Sequence, residues 1–153
     1  FVTGVQACAL PIYINKILNN FSFATPGTTY EVSPDYGMFV QAWNVSGINI
    51  PLIQYFFGVN PMAYNKEITI KPDMPSDWKY ARLERLLIGN NKLLIDFKQV
   101  NNKQVYTIGN SQEGWVVHFK LPKSANYVKV NGKEIKADSG IVKLIGLKNI
   151  IEF

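Results

Sequence analysis

The chain has 153 residues, of which 47% are hydrophobic and 18% charged, so it holds enough apolar side chains for a buried core. Its 16 basic and 11 acidic residues give a net charge of +5, but the lysines are scattered singly, which argues against a nucleic-acid partner. The one cysteine, Cys8, excludes an internal disulfide and a cysteine-based metal site. No stretch is typical of a membrane span, and the composition leaves the compartment open.

The first segment of the chain resembles a sequence that does not come from the protein itself. Residues 2–12, VTGVQACALPI, resemble the translated read-through of a ligation adapter used in short-read DNA sequencing, differing at Ala7, where that translation has threonine. We therefore treat residues 1–12 as a non-native scar and leave them out of the fold prediction. A short apolar strand or the remnant of a signal peptide is the alternative. On the adapter interpretation the chain is a fragment, and its native part contains no thiol.

Two carboxylates stand in a loop ahead of an uncharged segment. The apolar spacing of residues 13–20 predicts the last turns of a helix, and the prolines and glycines of residues 21–37 predict a loop. Glu31 and Asp35 lie in this loop, close to the amino end of the next predicted helix. The positive end of that helix dipole would favour ionised carboxylates, which is the state that a catalytic base needs.

The uncharged segment covers residues 38–65 and predicts a helix buried in protein. Its amides make it too polar for a bilayer core, so a span is not predicted. We expect the helix to run from about residue 38 to residue 57. Pro51 would kink or break it, and Gly58 and Pro61 predict its end.

From residue 64 onwards the hydrophobic period changes to two, which predicts short strands. The strands are predicted at residues 67–72, 81–89, 92–100, 103–110, 115–122, 126–136, 140–147 and 149–153. Turn residues separate them at a spacing typical of an antiparallel sandwich. Asn131 followed by Gly132 predicts a type I′ hairpin.

Three stretches in a fixed order carry a family resemblance: YEVSPDYGMFVQAWN at residues 30–44, FFGVNP at residues 56–61 and KEITIKPDMPSDW at residues 66–78. They resemble the carboxyl-terminal end of bacterial six-hairpin glycosidases, most of all glycogen debranching (amylo-α-1,6-glucosidase-like) proteins and more distantly α-L-rhamnosidases. In the debranching family a Ser-Glu-Ile/Val step precedes Gln-Ala-Trp-Ser. This chain has the corresponding Tyr30-Glu31-Val32 and Gln41-Ala42-Trp43-Asn44, and it departs from the pattern at Tyr30 and Asn44.

The resemblance implies an α+β fragment, in which residues 13–63 form the last helical hairpin of an (α/α)6 barrel and residues 64–153 an antiparallel β-sandwich. It implies an inverting glycoside hydrolase acting on α-linked glycans, with Glu31 as the general base that activates water. Inversion requires two carboxylic groups roughly 6.5–9.5 Å apart. The general acid is therefore expected upstream of residue 13, in the barrel of the same polypeptide, and the fragment alone is expected to be inactive.

Other residues are candidates for binding the carbohydrate substrate. Gln41 and Trp43 offer an amide and an aromatic face, which suit sugar hydroxyls and the apolar face of a sugar, although Trp43 equally suits interior packing. Asp35 is either a substrate contact or a turn and helix-cap residue. His118 alternates with Val117 and Phe119 on a predicted strand, which indicates a surface position.

Two alternative functions stay open at this point. A sugar phosphorylase of the same architecture would replace the water-activating base with a phosphate site, and Glu31 ahead of the helix favours hydrolysis. A non-catalytic β-sandwich module associated with carbohydrate is the other alternative. The sequence predicts no cofactor, since it has no metal-ligand cluster and no phosphate-cradling glycine loop.

Overall fold

A computed structural model describes residues 12, 37, 47, 49–122 and 127–153 of the chain. The chain divides into two compact units, Phe1–Phe56 and Phe57–Phe153. In the first unit, Gly47, Asn49 and Ile50 are α-helical, and Pro51–Phe56 form a π-helical segment. The widened turn begins at Pro51, where the sequence predicts a kink, because proline has no N–H to donate within an α-helix. Among the described residues, no helix is long and apolar enough to cross a membrane.

The predicted fold class is wrong. An α+β fragment with the last helical hairpin of an (α/α)6 barrel is not what the described residues form, since they are almost entirely β-strand and lie in two sheets. Besides the helical residues before Phe57, the described part contains only the short 3₁₀ turn Ala63–Asn65. The helical prediction depended on a segment without charges, and the end of that segment instead forms a strand, since absence of charge does not distinguish helix from strand.

The second unit contains ten strands. In chain order they are β1 (Val59–Met62), β2 (Glu67–Ile70), β3 (Tyr80–Ile88), β4 (Asn91–Val100), β5 (Lys103–Asn110), β6 (Val116–Lys120), β7 (Tyr127–Val130), β8 (Lys133–Lys136), β9 (Ile141–Ile145) and β10 (Lys148–Glu152). The first sheet has the order β1-β2-β6-β9, and the second has the order β3-β4-β5-β10-β7-β8. Neighbouring strands are antiparallel except β2 and β6, which pair in parallel with Glu67 beside Val116.

Buried side chains alternate along the strands and form one core between the sheets. In β4, Leu93, Ile95 and Phe97 are at most 1% exposed, while the residues between them lie on the outer face. The rings of Tyr106 in the six-stranded sheet and Phe119 in the four-stranded sheet have centroids 5.3 Å apart. Aromatic rings at this distance and tilt attract each other beyond simple burial. The two sheets therefore pack face to face as a β-sandwich.

Two-residue turns set the register of the hairpins. Asn131 and Gly132 both have positive φ, at 51° and 80°, and join β7 to β8 as the sequence predicts. Asn101 and Asn102, with φ of 50° and 63°, join β4 to β5 in the same manner. Positive φ at both central positions matches the right-handed twist of the flanking strands, and asparagine and glycine tolerate it best.

Candidate functional site

The residues that the sequence predicts to be functional lie outside the described part of the chain. These are the predicted catalytic residue Glu31 and the predicted substrate-binding residues Asp35, Gln41 and Trp43. Their roles stay predictions. The site that the structure does describe lies in the β-sandwich.

An open groove of about 190 Å³ lies on the six-stranded sheet. Its lining residues come from the start of β5, the hairpin of β7 and β8, and the end of β10: Lys103, Tyr127, Val128, Lys129, Glu134, Glu152 and Phe153. Six of these seven side chains are charged or aromatic, so the groove offers both hydrogen-bonding groups and a flat apolar surface.

Strand register brings the charged side chains and Tyr127 to the outer face of the sheet, whereas Val128 and Phe153 line the groove from the core side. Glu152 of β10 lies opposite Lys129 of β7, and Lys129 lies opposite Glu134 of β8. Tyr127 precedes Lys129 by two residues, so both point outward while the intervening Val128 is buried. The turn at Asn131 fixes the pairing of β7 with β8, and therefore the placement of Glu134.

One wall of the groove is an ion pair. Lys103 Nζ donates a hydrogen bond to Glu152 Oε1 at 2.9 Å. This hydrogen bond, together with the charges of Lys103 and Lys129, lowers the pKa of the Glu152 carboxyl from its usual value. A general acid in glycoside hydrolysis needs a pKa shifted the other way, because it must keep its proton near neutral pH. Glu152 is therefore suited to accepting hydrogen bonds rather than to donating a proton.

The opposite wall carries an exposed ring. Tyr127 is 58% exposed, and it lines the groove together with Lys129, two residues further along β7, and with Glu134 of β8. In the described part of the chain, neither the Tyr127 hydroxyl nor the Glu134 carboxylate makes a hydrogen bond. Both groups are therefore available to a ligand.

A histidine and a glutamate lie close together on the four-stranded sheet. His118 Nε2 is 3.7 Å from Glu67 Oε1, and the His118 side chain is 29% exposed. The neighbouring residues on β6, Val117 and Phe119, are fully buried, so His118 lies on the outer face of its sheet, as its alternation predicts. Among the described residues, no group of three or more His, Cys, Asp or Glu side chains could hold a metal ion.

The sequence prediction did not identify the groove, although one part of it had a signal. The Asn131-Gly132 turn places residues 130 and 133 opposite each other, and by the same register Lys129 faces Glu134. The other wall depends on β10 inserting between β5 and β7. No local pattern indicates that strand order, because the three strands are distant in sequence.

The comparison with solved structures agrees with the observed fold. No family model and no curated protein matches the chain. The chain is similar to part of an α-L-rhamnosidase from Dictyoglumus thermophilum, with a TM-score of 0.60 and 16% identity, covering 80% of this chain and 15% of that one. It is also similar to part of an α-L-rhamnosidase from Streptomyces avermitilis, solved in complex with L-rhamnose, with a TM-score of 0.63 and 15% identity, covering 99% of this chain and 16% of that one. The chain thus spans about one sixth of these structures and shares the fold of that part.

Proposed function

We propose that this chain is part of a glycoside hydrolase that cleaves α-linked glycans, and that its β-sandwich is a domain of that enzyme without catalytic residues of its own. The observation that carries the proposal is the structural likeness to two α-L-rhamnosidases over 80% and 99% of the chain. The sequence resemblance to six-hairpin glycosidases adds independent support, because it depends on residues 30–78 and not on the shape of the sandwich.

The catalytic step is assigned to Glu31. A carboxylate acting as general base takes a proton from water as that water attacks the anomeric carbon, while a carboxylic acid on the other side of the bond protonates the leaving oxygen. Glu31 supplies only the first of these groups. The general acid is assigned to a part of the parent enzyme outside this chain, so the chain alone is expected to have no hydrolytic activity.

The structural likeness and the sequence resemblance each favour one substrate class to test. The structural neighbours are α-L-rhamnosidases, which favours an aryl α-L-rhamnoside as the first substrate to test. The sequence motif at residues 30–44 resembles the debranching proteins, which favours an α-linked glucan as the second.

The test uses the parent enzyme and three of its variants. Glu31→Gln keeps size and hydrogen bonding but removes the proton acceptor, so turnover should fall by roughly 100-fold to 10,000-fold, with substrate binding much less affected. Asp35→Asn and Gln41→Ala change predicted substrate-binding residues in the same region, so they should mainly weaken substrate binding and keep measurable turnover. Product stereochemistry, followed by proton NMR during the reaction, should show inversion.

Several outcomes would contradict the proposal. A parent enzyme inactive on both substrates would overturn the hydrolase assignment, and strict dependence of turnover on inorganic phosphate would assign a phosphorylase instead. Near-normal turnover of Glu31→Gln combined with an inactive Asp35→Asn would assign the general base to Asp35 instead of Glu31. Turnover of either substrate by the 153-residue chain alone would show that the general acid lies within it.

A further inference from the structure

The groove on the six-stranded sheet combines features that suit one class of ligand. An exposed aromatic ring, that of Tyr127, stands on one wall, and the Lys103–Glu152 ion pair stands on the other. The C–H face of a pyranose packs well on an aromatic ring, whereas its hydroxyl groups need donors and acceptors at the ring edge. The groove offers the aromatic face and the polar groups together.

The polar groups lining the groove match hydroxyl groups rather than a charged ligand. Two lysines, Lys103 and Lys129, face two carboxylates, Glu134 and Glu152, so the side chains lining the groove sum to no net charge. The two carboxylates would repel a phosphate or a polyanion, and the two ammonium groups would repel a cation. A neutral hydroxyl can donate to a carboxylate and accept from an ammonium group, so it uses both kinds of group at once.

The size of the groove limits the ligand. Its volume of about 190 Å³ lies below the roughly 300–1,000 Å³ of sites that hold drug-sized molecules. Since the groove is also open to solvent, it suits a single sugar ring whose neighbours in a chain continue outside it.

We propose that this groove binds one pyranose unit of a glycan, with Tyr127 packing on the sugar face and Glu134, Lys129 and the Lys103–Glu152 pair holding its hydroxyl groups. The site would keep the β-sandwich in contact with a glycan while the enzyme acts on it. The choice of a sugar as ligand rests in part on the proposed function.

The test is a titration of the isotope-labelled 153-residue chain, followed by two-dimensional amide NMR, with L-rhamnose and with methyl α-D-glucoside as separate probes. Amide signals of Tyr127, Lys129 and Glu152 should move with one of the sugars at millimolar concentration, as expected for a single ring in an open groove. Tyr127→Val keeps a residue that suits a strand and should weaken binding about tenfold or more, since the packing surface is lost.

Two further variants separate the groove from general surface effects. Tyr64→Ala removes a tyrosine that is 84% exposed and lies outside the groove, so it should leave the titration unchanged. Glu134→Ala leaves the ring in place and should weaken binding severalfold. The proposal is overturned if groove amides do not move with either sugar, or if Tyr127→Val and Glu134→Ala both titrate like the wild type.

The result can be separated from the test of the proposed function. A parent enzyme that cleaves glycosides while its groove amides stay unmoved by sugar would overturn only this inference. Sugar binding in the groove of a parent enzyme without turnover would leave this inference in place and overturn the hydrolase assignment.

Discussion

The side chain of Asn91 donates from Nδ2 to Oδ1 of Asn110 at 2.9 Å, and this bond ties the start of β4 to the end of β5 inside the protein. Asn91 is fully buried and Asn110 is 7% exposed. The oxygen of Asn91 also accepts a hydrogen bond from the backbone N–H of Ser111 at 2.8 Å, while Asn110 Nδ2 donates to the carbonyl of Gly146 at 3.3 Å. One amide pair thus satisfies backbone groups on two loops.

Replacing Asn91 with alanine should destabilise the β-sandwich. The substitution leaves the buried Asn110 oxygen and the Gln112 N–H without their donor or acceptor partner, whereas the Ser111 N–H keeps its bond to the Lys92 carbonyl. Each group left unpaired costs about 1–3 kcal/mol. We expect a loss of unfolding free energy of about 2–4 kcal/mol in urea denaturation, at an unchanged slope. Asn90→Ala is the matched control, since Asn90 is the exposed neighbour in the same turn. Equal effects of the two substitutions would show that the amide pair contributes little.

Gly58 should be intolerant of any side chain. Its φ is +65°, and a Cβ at this position would overlap the backbone carbonyl of Lys71, whose N–H donates to the Gly58 carbonyl at 3.0 Å. Gly140→Ala is the control, because Gly140 also has positive φ, at +75°, but no heavy atom lies within 4 Å of the added Cβ. We expect about 1–2 kcal/mol of destabilisation for the control from backbone strain alone. Gly58→Ala should lose at least twice as much, and a smaller loss than in the control would contradict the predicted overlap.

Tyr106 should make the protein sensitive to alkali. Burial, together with the nearby charge of Asp73, raises the pKa of the Tyr106 hydroxyl well above its usual value of 10.0. The unfolded chain therefore loses this proton near pH 10, at a pH where the folded chain still holds it. Stability from this group is complete below that pH and declines as the pH rises towards the folded-state pKa.

The measurement is the urea midpoint as a function of pH above neutrality. Tyr106→Phe removes the titrating hydroxyl and its hydrogen bond to Gln104, so this variant should lose less stability between neutral and alkaline pH than the wild type. Tyr64→Phe changes an exposed tyrosine and should keep the wild-type profile. Identical alkaline profiles for all three proteins would contradict the role of Tyr106.

The β-sandwich should fold alone only when β1 is included. β1 pairs with β2 along its whole length, and Phe57 and Val59 are 5% and 2% exposed. Residues 57–153 should therefore give dispersed amide signals and a cooperative urea transition. Residues 64–153 should lose about 3–6 kcal/mol, because two buried side chains at about 1.5–3 kcal/mol each are removed. The unfolding free energy of Val59→Ala in the fragment 57–153 should lie between the values of the two fragments. A fragment 64–153 that is as stable as the fragment 57–153 would contradict the contribution of β1.

Much of the sandwich was predictable because its signals are local. Strand β5 has the predicted bounds, the predicted segment 126–136 is divided by its turn into β7 and β8, and the other predicted strands are present with ends that shift by a few residues. The turn at Asn131 and Gly132 was predicted because few residues tolerate positive φ at two consecutive positions. In these cases the period of the hydrophobic side chains and the turn chemistry indicate the same structure.

The remainder depends on tertiary structure that local patterns do not encode. Strand β1 contains Pro61, which lowers strand propensity, and it forms at the sheet edge, where proline is tolerated. The parallel pairing of β2 with β6 and the insertion of β10 between β5 and β7 join segments far apart in sequence. The groove arises from that insertion, so the residues lining it could not be grouped from the sequence. The predicted site residues around Glu31 lie outside the described residues, and their roles stay predictions.

The parallel pairing of β2 with β6 has a consequence for the order of assembly during folding. Strands β3, β4 and β5 follow one another through two-residue turns, and hairpins of this kind form within about 1–10 μs. β6 reaches its place beside β2 only after the chain has passed through all three of these strands in the other sheet, so a long loop must close first. We therefore expect strands β3, β4 and β5 to form a local nucleus first, and the closure of the four-stranded sheet through its parallel pair to be the slow step.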